Sequence, residues 1–209
     1  MKPAAVSATS ADKILTAATA LFMLKHFNDV SIKEIAQKSG VNSALISYYF
    51  GGKKNLYQEV LNEQSKLFLD LIHSINSKTI APLAKLREYI AAVAKIQQSQ
   101  PHRIHLVYRE LLTPTVLGDN FIKNRLYKIH QFLAELVAAA IADGSLNPGV
   151  QPTHIAFTLE SIIVFFFLTH DQVRTLENLP DGNEYAYLDA ALNTYLASLS
   201  KQNRRSQRV

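Results

Sequence analysis

The sequence predicts an all-α protein. An N-terminal three-helix helix-turn-helix domain is followed by a larger helical domain, about nine to ten helices in total. Three observations carry this reading. Apolar residues recur at three- and four-residue spacing along most of the chain, and strand-like alternation is nearly absent. The 7 glycines and 7 prolines mostly punctuate the ends of those periodic runs. With 209 residues, 48% hydrophobic and 19% charged, the chain has the length and composition for a sizeable buried core. There is no cysteine, which excludes a disulfide framework, a zinc ribbon and a cysteine nucleophile.

Each element follows from local signals. Residues 1–9 read as a flexible tail. Ser10 reads as the N-cap of a helix over roughly 11–26, with Ile14, Ala18, Leu21 and Phe22 on one face. Ser31 opens SIKE, a capping box in which the Ser31 hydroxyl and the Glu34 carboxylate satisfy each other's backbone N–H. The short second helix turns Ile32, Ile35 and Ala36 inward and stops at Gly40, the residue type suited to a left-handed C-cap. Asn42 caps a third helix through about Tyr48, and Gly51-Gly52 breaks the chain again. A fourth helix covers about 54–77. Pro82 sits in the first turn of the next, which ends before Pro101. Further helices are expected over about 102–112, 119–143, 153–176 and 183–200, with Gly144, the loop GSLNPGVQP and Pro180-Asp181-Gly182 between the last three. The domains are therefore drawn at 10–57 and 58–200, with a basic flexible tail over 201–209.

Charge is unevenly spread. Residues 1–60 hold 7 Lys against 4 acids, residues 61–200 hold 11 Lys and Arg against 13 acids, and the last nine hold 4 basic residues and no acid. The basic excess sits at the two ends, where it suits a polyanion. The first ten residues lack an apolar signal core, so a cytoplasmic location is expected. The apolar run Ile155 to Leu168 is short for a bilayer span and contains Glu160, so it reads as a buried or dimer-forming helix without membrane contact.

Residues 31–50 have the form of a helix-turn-helix: two short helices, a tight turn at Gly40, and Ile35, Ala36, Val41 and Ile46 where the pair packs. Such a unit lays its second helix in the major groove of duplex DNA. That helix is NSALISYYF, rich in small residues that allow close approach, with tyrosine hydroxyls for phosphate. Lys53 follows the Gly-Gly break, where an ammonium beside a helix N-terminus would hold a phosphate. An ordinary helical corner shares the same local pattern.

From Ile14 to Leu61 the chain resembles the DNA-binding domain of TetR-family transcriptional regulators. The resemblance rests on the Leu-Phe first helix, the S-I-x-E-I-A second helix, the G-V-N turn, the Y-Y-F end of the reader and the G-x-K-x-N-L-Y that follows. It implies contacts to DNA from Ser31, Asn42, Ser43, Ala44, Ser47, Tyr48, Tyr49 and Lys53. Ser31 and Lys53 would meet phosphates, Asn42, Ser43, Ala44 and Ser47 would face base edges, and Tyr48 and Tyr49 would meet backbone or bases. The chain departs from the family pattern at His26, where glycine is usual, at Ser47, where an aromatic is frequent, and at Leu45, where threonine is frequent.

The resemblance also implies a C-terminal half with a small-molecule pocket and a dimer interface. Pocket candidates are Phe68, Leu71, Ile72, Tyr89, Val93, Ile96, His105, Tyr108, Arg109 and Phe165. Arg109 with Glu110 would either anchor an acidic ligand or form a structural pair. Candidates for the dimer interface are Leu126, Ile129, Leu133, Leu136, Val137, Ile155, Leu159, Ile162, Ile163 and Phe166, at helical spacing in the two long helices. The same residues would equally fill a single-chain core.

The expected protein is a one-component regulator, in family habit a repressor. It binds a palindromic operator on double-stranded DNA as a homodimer and is released by an unidentified small molecule. An activator of the same family and a helical protein-interaction module are the alternatives. An enzyme is not expected: no G-x-S-x-G, phosphate-loop or H-E-x-x-H motif is present. His102 and His105 share a helix face, yet no third ligand has matching spacing, so neither a metal nor a cofactor is expected.

Overall fold

The computed structural model describes residues 9–99, 101–115, 118–149, 151–177 and 184–200. All regular elements among them are helical. Helix α1 spans Ser10–Leu24, a 3-10 turn Phe27–Asp29, α2 Ile32–Ser39, α3 Ala44–Phe50 and α4 Lys53–Asn76. Then come α5 Pro82–Ser99, α6 Pro101–Leu112, the short α7 Gly118–Phe121, a π-type stretch Ile122–Leu126, α8 Tyr127–Ala142, α9 Pro152–Glu177 and α10 Glu184–Ser198. The basic tail and the tight turn at Pro180 expected from sequence lie outside the described residues.

Most helix ends fall close to the residues whose chemistry stops a helix. Thr9, one residue before the expected cap, closes a reciprocal box with Asp12: its hydroxyl accepts the Asp12 N–H, and Asp12 accepts the Thr9 N–H at 2.9 Å. Ser31 and Glu34 form the second box as the sequence predicts, with the Glu34 N–H to Ser31 Oγ at 3.1 Å. Gly40 takes the left-handed conformation at φ 69° after α2, and Gly51 does so at φ 70° after α3. The helix expected over 119–143 is interrupted by the π-type turn at 122–126.

The chain divides into two compact units. The first comprises residues up to Lys66 together with His102–Ile122, and the second comprises Leu67–Pro101 with the residues from Lys123 onward. The sequence placed the whole of 58–200 in one domain. The first unit instead reaches past the expected boundary after Tyr57 into α4 and recruits most of α6, because Tyr57 and Glu110 are buried together as a hydrogen-bonded pair.

The first unit is built on Ile14, Ala18, Phe22, Val30, Ile35, Ile46, Leu56 and Tyr57, all buried. The Phe22 ring meets Tyr57 edge-on at 4.8 Å between centroids, and Phe27 meets it at 5.0 Å. In the second unit α8 packs on both α5 and α9, and α10 packs on α9. Helix α9 contains an 18-residue window, Pro152–Thr169, long and apolar enough to cross a membrane by composition. Its contacts with α8 and α10 and its Glu160–His130 pair give it the character of a core helix.

Candidate nucleic-acid interface

The reader is α3 and the turn before it. Ile46 is fully buried and fixes the helix to the first unit's core, while Tyr48 on the other side is 79% exposed. Asn42, Ser43, Ala44, Ser47 and Tyr49 are exposed with it. These six residues, expected from sequence to meet DNA, therefore share the outward side of one short helix and its entry turn. Asn42 also has a local structural role: its Oδ1 accepts the Ala44 N–H at 2.9 Å and so starts α3, while Ser43 at the cap position makes no side-chain bond. Tyr48 and Tyr49 lie edge-on at 5.0 Å between centroids, so each limits the other's rotation.

Helix α2 positions this reader. The Gly40 turn joins it to α3, and Val41 N–H closes the turn on Ala36 O at 3.2 Å. Its N-terminus is held by the Ser31–Glu34 box, and Glu34 is paired with Lys25 at 2.7 Å. The hydrogen bond from Lys25, with those from Ser31, draws the Glu34 carboxyl down to about 2 from its ordinary 4.5. Ser31 itself is exposed but occupied by this capping.

The bend after α1 needs no glycine. Lys25 and His26 adopt extended backbone, φ −128° and −65°, so a histidine fits where the family pattern favours glycine.

Lys53 differs from the other predicted contacts. Its ammonium faces inward, donating to Phe27 O and Val30 O at 2.8 Å each, and lies 4.3 Å from the centre of the Phe27 ring. Lys54 beside it is exposed, a residue the sequence reading passed over.

A buried polar cluster ties α6 to α1 and α4 within the first unit. Glu110 is 1% exposed. One of its oxygens accepts the Tyr57 hydroxyl, and the other accepts Thr115 N–H and Thr115 Oγ1, both at 3.0 Å. Burial and the adjacent Glu110 push the Tyr57 hydroxyl far above its ordinary range, so it remains a donor. Arg109 donates to Phe22 O at the end of α1. Arg109 and Glu110 thus have structural partners, and the reading as an anchor for an acidic ligand is not needed to explain either.

The remaining pocket candidates scatter. Phe68, Tyr89 and Val93 are buried in the second unit and Tyr108 is buried in the first, while Leu71, Ile72 and Ile96 are half-buried. Phe165 is 67% exposed and belongs to a surface. The side chain of His105 lies outside the described residues.

Of the expected dimer contacts, Leu133, Leu136, Val137, Ile155, Leu159, Ile163 and Phe166 are buried in the single chain, and Leu126, Ile129 and Ile162 are half-buried. Their periodicity is accounted for by α8 packing on α9. Among the described residues, the large apolar side chains left exposed on α9 are Phe157 and Phe165. No group of three metal-ligating side chains occurs among the described residues.

Comparison with known proteins agrees with this geometry. Residues 14–60 match the family of bacterial regulatory proteins of the tetR type. The chain is 29% identical over 154 residues to the HTH-type transcriptional regulator RutR of Escherichia coli K12, covering 73% of this chain and 72% of RutR. It is 27% identical over 178 residues to the probable HTH-type transcriptional regulator YttP of Bacillus subtilis, covering 84% and 86%. Its fold matches that of SmeT in complex with triclosan, with a TM-score of 0.72 over 93% of both chains at 17% identity. The matched residues are those that build the helix-turn-helix and its reader: residues 14–60 match the DNA-binding domain of the tetR family, and the chain is similar over most of its length to HTH-type transcriptional regulators.

Proposed function

We propose that the protein is a cytoplasmic repressor that binds a palindromic operator as a homodimer and leaves it when a small molecule binds. The observation that carries this reading is the reader's two-sidedness. Ile46 is locked in the core while Asn42, Ser43, Ala44, Ser47, Tyr48 and Tyr49 stand in solvent. A seven-residue reader helix touches few bases, so useful affinity needs two readers about 34 Å apart. That requirement favours a two-fold dimer.

Helix α9 supplies a surface for it. His154, Phe157, Ser161 and Phe165 are all exposed at three- and four-residue spacing, forming one stripe beside the buried face. Tyr127 on α8 is also exposed. A second copy would bury this stripe as part of a helical bundle.

Effector binding and operator binding are linked by a shared equilibrium. A coupling of ~1–3 kcal/mol gives roughly a 5–150-fold loss of operator affinity on effector binding. SmeT, which shares the fold, was solved with triclosan, and this supports a small-molecule effector here. The test is selection of bound duplexes from a random pool by the full chain. A palindrome with half-sites about one helical turn apart is expected. Enrichment of a single unpaired half-site would overturn the dimeric operator.

A further inference from the structure

The first turn of α4 presents two adjacent lysines, Lys53 half-buried and Lys54 exposed. An ammonium carries three donors on a flexible stem and behaves as a compact point charge. In Lys53 two of those donors are taken by Phe27 O and Val30 O at 2.8 Å, and the ring of Phe27 lies 4.3 Å away. Charge-assisted bonds to two carbonyls and the face of an aromatic ring both favour the charge where it is. One donor remains, and any bond it made to a phosphate would leave the ammonium anchored where these partners hold it.

Those carbonyls bracket the segment that delivers the reader. Phe27 O begins the 3-10 turn, and Val30 O immediately precedes Ser31, which caps α2. Lys53 therefore fixes the entry of α2 to the first turn of α4, across 23 and 26 residues of sequence. Lys54 is exposed and makes no hydrogen bond or ion pair among the described residues. It stands four residues beyond Phe50, the end of the reader helix.

We propose that Lys53 is a positioning residue that ties α2 to α4, and that Lys54 supplies the phosphate-neutralising charge of this turn. Lys53 then acts on DNA affinity through the placement of α2 and α3, and Lys54 acts through counterion release. The two roles differ in salt dependence, since each phosphate charge neutralised steepens the dependence of log affinity on log salt by about 0.9. The inference rests on duplex binding by the helix-turn-helix of the first unit.

The test is a salt titration of the full chain on a short random-sequence duplex, read by fluorescence anisotropy, with thermal unfolding of each variant alongside. Lys54→Gln is expected to lower the salt slope by about 0.9 per bound protomer and to leave the unfolding midpoint unchanged. Lys53→Met is expected to weaken binding with the slope of the wild type and to lower the unfolding midpoint by several degrees. Lys53→Arg keeps the charge but places a planar fork between two carbonyls, and is expected to lose stability as well. A Lys53→Met chain that does not fold supports the tie, since losing a solvent-facing phosphate contact would not unfold the protein. A slope lowered by Lys53→Met, or an unchanged slope in Lys54→Gln, overturns the assignment. Failure of the wild-type chain to bind duplex would overturn the DNA-binding reading itself, a result distinct from either of these.

Discussion

Gly118 needs to be glycine because of space. A Cβ added there would overlap Glu110 Oε2 and stand 3.3 Å from Glu110 Cδ. Ala at 118 forces the carboxylate back by about 1 Å to restore ordinary contact distance. That retreat breaks the two Thr115 bonds, each 3.0 Å now. Bonds to a charged acceptor contribute ~1.5–3 kcal/mol each, and water reaching half-buried Thr115 offsets part of their loss. The gain of alanine over glycine in a helix is about 0.5–1 kcal/mol. Gly118→Ala is therefore expected to destabilise by about 1–3 kcal/mol, or roughly 3–10 °C in the unfolding midpoint of a chain this size. Thermal and urea unfolding measure it. Glu110→Ala alone strands the Tyr57 hydroxyl and costs about 2–5 kcal/mol. In that background the obstacle is gone, and Gly118→Ala becomes neutral or slightly stabilising. The double-mutant cycle should then give a coupling of about 1–4 kcal/mol. Equal costs of Gly118→Ala in both backgrounds would show that the Glu110 contact is not the reason for glycine.

Two further outcomes are expected. Glu34 has a depressed folded value near 2. Its stabilising effect is present above its ordinary 4.5 and is lost as pH falls from there through about 2. Carboxyl NMR titration should show Glu34 ionising near 2, and Lys25→Met should return it toward 4.5; no change in that variant would refute the role of Lys25. On α9, Phe157→Asp with Phe165→Asp places two charges on an exposed stripe, so the monomer fold should survive while sedimentation shows loss of dimer. A dimer unaffected by both charges would place the interface elsewhere.

The sequence made the reader legible because its signals are local. Ser31 with Glu34, Gly40 and Gly51 act within a few residues, and each does in the fold what its chemistry indicates. Pro82, Pro101 and Pro152 likewise open α5, α6 and α9. The missed features depend on distant partners. A lysine at a helix start looks the same whether it meets a phosphate or the carbonyls of Phe27 and Val30. Arg109 and Glu110 read as an anchor or a pair until Phe22 O, Tyr57 and Thr115 are in place. In α9 the apolar positions occupy more than one face, so periodicity picks out Leu159 and Ile163 without revealing that they face α9's own neighbours. The exposed Phe157 and Phe165 carry the same signal. Nothing in Ile122–Leu126, which lacks glycine and proline, announces the π-type turn.

The central claim is that the exposed side of α3 enters the major groove. Dimethyl sulfate footprinting on a selected operator tests it most directly, because the reagent methylates guanine N7 in the major groove and adenine N3 in the minor groove. The account predicts guanine N7 protection in two patches about one helical turn apart, with adenine N3 between them still reactive. Protection confined to adenine N3, with every guanine N7 still reactive, would contradict it.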